Sequence, residues 1–196
     1  MRPRQLAARP RRLLPPSLLA AGAPPDGRWN GCASGLAIDR APQSGFQPDP
    51  TSDGVFRAFG RHRSFPAPEF WSDTSDGLLF LFHLHGFAPL ARYAAGHRTS
   101  KGDAFWQAVL EDWLRAYGVP KRIAWHPYPT SGRVMAWCAA LSAAGWGADL
   151  QARLRASLRR QSTMLRRSVE HDVGGNHVLR NGFAMLMAGI CLATSA

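Results

Sequence analysis

Lysine is nearly absent from this chain. Lys101 and Lys121 are its only lysines, so arginine supplies almost all of the 24 basic residues that outweigh 13 acidic ones and leave a net charge of +11. Such an excess favours anionic partners: acidic sugars, nucleic acid or a membrane surface. The chain is also rich in Ala, Gly and Pro, so coding bias is a second source of the arginines, and charge alone does not choose a partner. Cysteine is scarce as well. Cys32, Cys138 and Cys191 are odd in number and lack CxxC spacing, which argues against a disulfide framework or a zinc site. Neither a metal nor a cofactor is expected. No apolar run reaches the ~18 residues needed to cross a bilayer, so no membrane span is expected. Convincing strand pairs are lacking too.

What is present is a hydrophobic content of 45% in 196 residues, enough for one domain with a tail. Residues 1–50 read as a poorly ordered lead. Arg2, Arg4, Arg9, Arg11 and Arg12 precede an apolar stretch from Leu13 to Ala23. It faintly resembles a signal peptide, but Pro15 and Pro16 interrupt it, and an over-extended gene start or disordered tail is the better reading. Residues 51–196 form the domain. Its first part, residues 55–73, carries Phe56, Phe59, Phe65, Phe70 and Trp71 among prolines. This predicts an extended strap anchored by its rings rather than a helix.

Five helices are predicted after the strap. The first runs from Ser75 to Leu90 with a break at Pro89, and the second from an Asp103 cap to Tyr117. A third, capped by Thr130 or Ser131, extends to Ala144. The fourth carries the apolar stripe Leu150, Leu154, Leu158, Leu165 and Val169 opposite Arg153, Arg155, Arg159, Arg160, Arg166 and Arg167. Those arginines read as a solvated face. The last helix, Asn176 to Leu192, is apolar on nearly all sides and requires cover on all of them. Short connections favour antiparallel hairpins.

The segment Glu170 to Gly182 organises the rest. Gly174 and Gly175 predict a helix end, and Asn176 then lies at or near the N-cap of the last helix. Asn176 and His177 would place an amide and an imidazole at the positive end of a helix dipole, where an anion is favoured. The same residues also read as a plain cap and a half-buried ring.

Three blocks together resemble the heparinase II/III-like polysaccharide lyases. Phe65-Pro66, Phe70-Trp71-Ser72-Asp73 and Leu84-His85-Gly86-Phe87-Ala88-Pro89-Leu90 resemble the family's Trp-Asn-Asp strap and Leu-His-x-Phe-x-x-Leu helix. The run from Trp125 to Trp137 is similar to its Trp-x-Pro-Tyr-x-x-Ser-x-Arg-x-x-x-Trp signature. Glu170 to Asn181 is similar to Glu-x-x-x-x-Gly-Asn-His-x-x-x-Asn. Each block alone is weak, but the three stand in the family's order across residues 55–196.

The resemblance implies an all-α fold, an incomplete α/α toroid of antiparallel helical hairpins, followed in the family by a large β-sandwich region. It implies cleavage of uronate-containing acidic polysaccharides, such as heparan sulfate or alginate, by β-elimination. Asn176 and His177 are then the carboxylate neutralisers, catalytic by stabilising enolate-like charge. A preorganised donor of this kind contributes ~3–4 kcal/mol. Tyr128, Arg133 and His85 are candidate substrate-binding residues. Arg133 reads equally as a structural tie to Glu170 or loop carbonyls, His85 as a core histidine, and Trp125 and Trp137 as interhelical packing. Asn181 is expected to buttress the Asn-His pair. The family's catalytic tyrosine lies several tens of residues past that pair, beyond Ala196, so the chain is expected to be incomplete for catalysis alone. A periplasmic or secreted location follows from the resemblance only.

Two other classes remain open. One is a non-catalytic helical module that binds acidic glycans. The other is a basic helical protein that binds nucleic acid through the fourth helix, and it ranks last. From the open toroid, the last helix is expected to expose an apolar face, so that the chain self-associates through it or is marginally stable.

Overall fold

The computed structural model describes residues 53–121, 123–143, 145–170 and 176–193. The predicted lead, residues 1–50, and the glycines Gly174 and Gly175 lie outside the described residues. The expectation of no strand pair is overturned. The strap begins as an antiparallel hairpin of β1 (Val55–Ala58) and β2 (Arg61–Ser64), with Val55 opposite Ser64 and Ala58 opposite Arg61. Phe59 and Gly60 form its tip, both with positive φ, 54° and 73°. That is the type I′ pattern that matches strand twist. The strands are short, and arginines interrupt their alternation, which hid them from the pattern.

The strap is anchored by its rings, as its composition suggests. Phe70 packs edge-on against Phe56, Phe65 and Trp71 at 4.7–5.3 Å between centroids, and Phe56 reaches Trp106 at 5.7 Å. Arg63 adds a polar clamp. It is buried, donates to the Phe70 and Asp73 carbonyls, and pairs with Asp76 at 2.6 Å.

The remaining described residues are mostly helical: α1 (Leu78–Gly86), α2 (Ala88–Ala95), α3 (Ser100–Tyr117), α4 (Pro127–Ser142), α5 (Ala148–Arg167) and α6 (Asn176–Ala193). The predicted first helix is thus two. Its break falls at Phe87, φ 56°, and not at Pro89, which sits in the first turn of α2 where proline is tolerated. The cap of α3 is Thr99, whose side chain accepts from the Gly102 N–H, while Asp103 lies in the first turn and accepts from Tyr93 and Arg98. The start of α4 also moves. His126 is its N-cap and Pro127 its first residue, so Thr130 and Ser131 are interior.

Helix α4 is the hub. It touches α1, α2, α5 and α6, and its residues from Pro127 to Leu141 are almost all buried. Trp137 meets Trp113 edge-on at 5.2 Å and Phe87 at 5.7 Å. Trp125 donates its indole N–H to the Tyr117 carbonyl. Both tryptophans are packing residues. Helix α6 turns Asn181, Ala184, Ala188 and Cys191 inward, whereas Leu179, Phe183 and Leu186 are 53–61% exposed. One apolar face of this helix is therefore uncovered. Among the described residues no helix is long and apolar enough to cross a membrane.

Candidate functional site

The first turns of α4 and α6 lie side by side, with α1 next to them. A proline at the first position of α4 needs no partner for its missing N–H, and the His126 ring caps the Tyr128 N–H at 3.3 Å. This presents the Tyr128 ring on the surface side of the helix start. The His177 ring packs against it at 5.4 Å. The guanidinium of Arg180, one turn further along α6, lies over the Tyr128 ring at 4.5 Å. From α1, Phe82 and His83 approach Tyr128 at 6.0 and 6.4 Å. Asn176 is the first residue of α6 and is exposed beside this group.

Behind the group is a buried polar tie. Glu170 is buried, and its carboxylate oxygen stands 3.2 Å from His177 Nδ1. A carboxylate accepts, so Nδ1 carries the proton. The second ring nitrogen, Nε2, is then a lone pair in the neutral ring and a donor only in the imidazolium. Asn181, fully buried, accepts from the Glu170 N–H at 3.0 Å and donates to Ser131 Oγ at 2.8 Å. Ser131 donates in turn to the Pro127 carbonyl. Asn181 therefore ties Glu170 to both helix starts and, through Glu170, buttresses His177.

Arg180 is the residue that sequence reasoning missed. Its Nε is shielded from solvent and has no hydrogen-bond partner among the described residues. It makes no ion pair there either. Its Nη2 fits against Gly132, where an added Cβ would stand 2.6 Å away. Burial and the neighbouring Arg180 charge both lower the His83 pKa, which favours the neutral ring. A signal existed in the sequence: Arg180 is three residues after His177, one helical turn on the same face.

Two expected substrate-binding residues are corrected. Arg133 is fully enclosed. It donates from Nη1 to the His85 and Ala124 carbonyls at 3.0 and 2.8 Å, from Nε to Gln161 at 2.9 Å, and from Nη2 to Thr130, with its guanidinium 4.2 Å from the centre of the Trp113 ring. Burial lowers its pKa; the four bonds and the indole face offset that cost. It joins α4 to carbonyls and touches no surface. His85 is also fully enclosed. Its Nδ1 accepts from the Trp113 indole at 3.1 Å, so Nε2 carries the proton and donates to the Trp71 carbonyl at 3.0 Å. Burial, with Arg133 nearby, lowers its pKa to about 3. It is a neutral core histidine.

A groove of about 460 Å³ between α3 and α5 is lined by Glu111, Arg115, Arg153 and Arg160 among others. A narrow crevice between β1 and α1 reaches His83. Neither includes Asn176, His177 or Tyr128; Asn176 is exposed and the two rings are half-buried. On α5, Arg153, Arg159, Arg160 and Arg166 are exposed, a solvated face. Comparison with protein-family models, curated proteins and solved structures finds no match to this chain.

Proposed function

We propose that this chain is the helical part of a polysaccharide lyase acting on uronate-containing glycans, with Asn176, His177, Tyr128 and Arg180 as its anion-binding face. The observation that carries the reading is Arg180: a cation laid on Tyr128 beside His177, with no anionic partner among the described residues. Arg180 is half-buried, so part of its guanidinium still meets solvent, and there a ligand anion would replace water as its partner. A uronate carboxylate does so in a planar, bidentate form. The family's toroid and sugar cleft belong to this proposal, with α4, α5 and α6 as one side of the ring.

The chemistry follows from the charge. Removing the C5 proton of a uronate puts negative charge onto its carboxylate. The Asn176 amide, the His177 ring and Arg180 are the groups placed to stabilise that charge. A general base, by the resemblance a tyrosine or histidine other than these three residues, takes the C5 proton; the C4–O bond then breaks, a C4=C5 double bond forms, and the leaving oxygen takes a proton from the base's conjugate acid. Neither Arg133 nor His85 participates.

Calorimetric titration of the chain with oligomers of mannuronate, guluronate or heparan sulfate tests binding. Arg180→Gln is expected to weaken binding about tenfold or more, as for a lost charged contact, and Asn176→Ala to weaken it less. Appearance of unsaturated uronate, read by its ultraviolet absorbance after the family's C-terminal region is supplied, tests lyase chemistry. Binding of duplex DNA that persists in Arg180→Gln, with no oligouronate binding, would overturn the reading.

A further inference from the structure

We infer that Phe59, at the tip of the β-hairpin, is a sugar-stacking platform that lengthens the glycan site by a unit beyond His83. This rests on the acidic-glycan reading above. Phe59 stands where the fold does not want it. A type I′ turn favours Asn or Asp before Gly60, and a bulky residue at φ 54° is strained. The core does not explain it either. Phe56 and Phe70 of the same strap are buried, whereas Phe59 is 57% exposed.

Its neighbours do explain it. The Phe59 ring meets His83 edge-to-face at 4.6 Å and 88°. His83 leads to Tyr128 at 6.4 Å, and Tyr128 to His177 at 5.4 Å. The rings form one row from the hairpin tip to the Asn-His pair. Of these rings, His83 also lines the crevice between β1 and α1. A pyranose presents a C–H face to an aromatic ring and keeps its hydroxyl rim in water. A row of partly exposed rings with Arg180 alongside therefore suits an acidic sugar chain.

Phe59→Asn separates stacking from folding, because Asn-Gly is the preferred I′ pair. The variant is expected to have an unchanged or higher melting temperature. It should bind a uronate hexasaccharide about five- to tenfold more weakly, the size of one aromatic contact, and a disaccharide as the wild type does. His177→Ala should weaken both lengths. Equal hexasaccharide affinity in Phe59→Asn and wild type would overturn the platform while leaving the site intact. So would a change in sedimentation coefficient without a change in affinity, which would assign Phe59 to contact between chains. A wild-type chain that binds neither oligomer would remove the glycan reading and the platform with it.

Discussion

Acid should destabilise this fold through one enclosed histidine. His85 has a folded pKa of about 3, against an ordinary value of 6.5. Between those values the unfolded chain binds a proton at this position and the folded chain does not, so stability falls as pH falls. The contribution is fully present above pH 6.5 and is lost progressively down to about pH 3. Linkage gives a loss of about 2 kcal/mol at pH 5 and about 3 kcal/mol at pH 4 from this group alone. A domain of this size has ~5–15 kcal/mol to lose. The assay is urea unfolding followed by tryptophan fluorescence at pH 7, 5 and 4, in the wild type and in His85→Gln. Glutamine can accept from the Trp113 indole and donate to the Trp71 carbonyl, but does not titrate. The variant will be less stable at pH 7. Its stability should nevertheless fall by about 2 kcal/mol less than the wild type's between pH 7 and 5. His83 and the carboxylates titrate in both proteins and cancel in the difference. Identical slopes would show that His85 is hydrated and protonated normally, and the assignment of its two hydrogen bonds would be wrong.

Arg133→Met should destabilise the fold by about 3–5 kcal/mol, since it strips the donors from two buried carbonyls and Gln161; chemical denaturation measures it. Asn181→Leu should cost about 1–3 kcal/mol by leaving the Glu170 N–H unpaired, and should also weaken oligouronate binding through His177. Phe183→Glu, on the uncovered face of α6, should shift the chain toward monomer in sedimentation velocity without lowering its melting temperature.

Helices were legible wherever one apolar stripe dominated. Leu150, Leu154, Leu158 and Leu165 mark α5 because steps of four, four and seven residues keep them on one face for about four turns. The boundaries were less legible. Phe87 ends α1 by adopting φ 56°, a conformation that its residue type argues against and only packing between Trp71, Trp113 and Trp137 supports. The hairpin was invisible for a related reason: its tip is Phe-Gly rather than Asn-Gly, and β2 reads Arg-His-Arg-Ser, with only Arg63 turned inward.

The site shows the same division between local and long-range information. The Asn-His pair at the start of a helix is a local pattern, and it was read from glycines and spacing. The fate of Arg133 and His85 depends on contacts across 48 and 28 positions of sequence separation. Both sit in blocks that resemble a lyase, which made them look functional, yet a fully enclosed side chain with every donor nitrogen engaged has nothing to offer a ligand. Arg180 is the opposite case.

The convergence of the blocks has a physical cause that unites these observations. Asn181 reaches across 50 positions to Ser131 and so sets the start of α6 against the start of α4. That contact alone would bring Arg180 into α4, but Gly132 follows Ser131 and leaves the space for its guanidinium. An alanine there would also crowd the Gly86 carbonyl at 3.3 Å, where α1 ends. A serine that receives Asn181, a glycine that admits Arg180 and an arginine that ties α1 to α4 are consecutive residues, 131 to 133. The block that resembles a substrate-binding signature therefore works chiefly as a joint. It positions Tyr128, His177 and Arg180 on one face, and in the function proposed above those three, rather than the arginine within the block, would meet an anion.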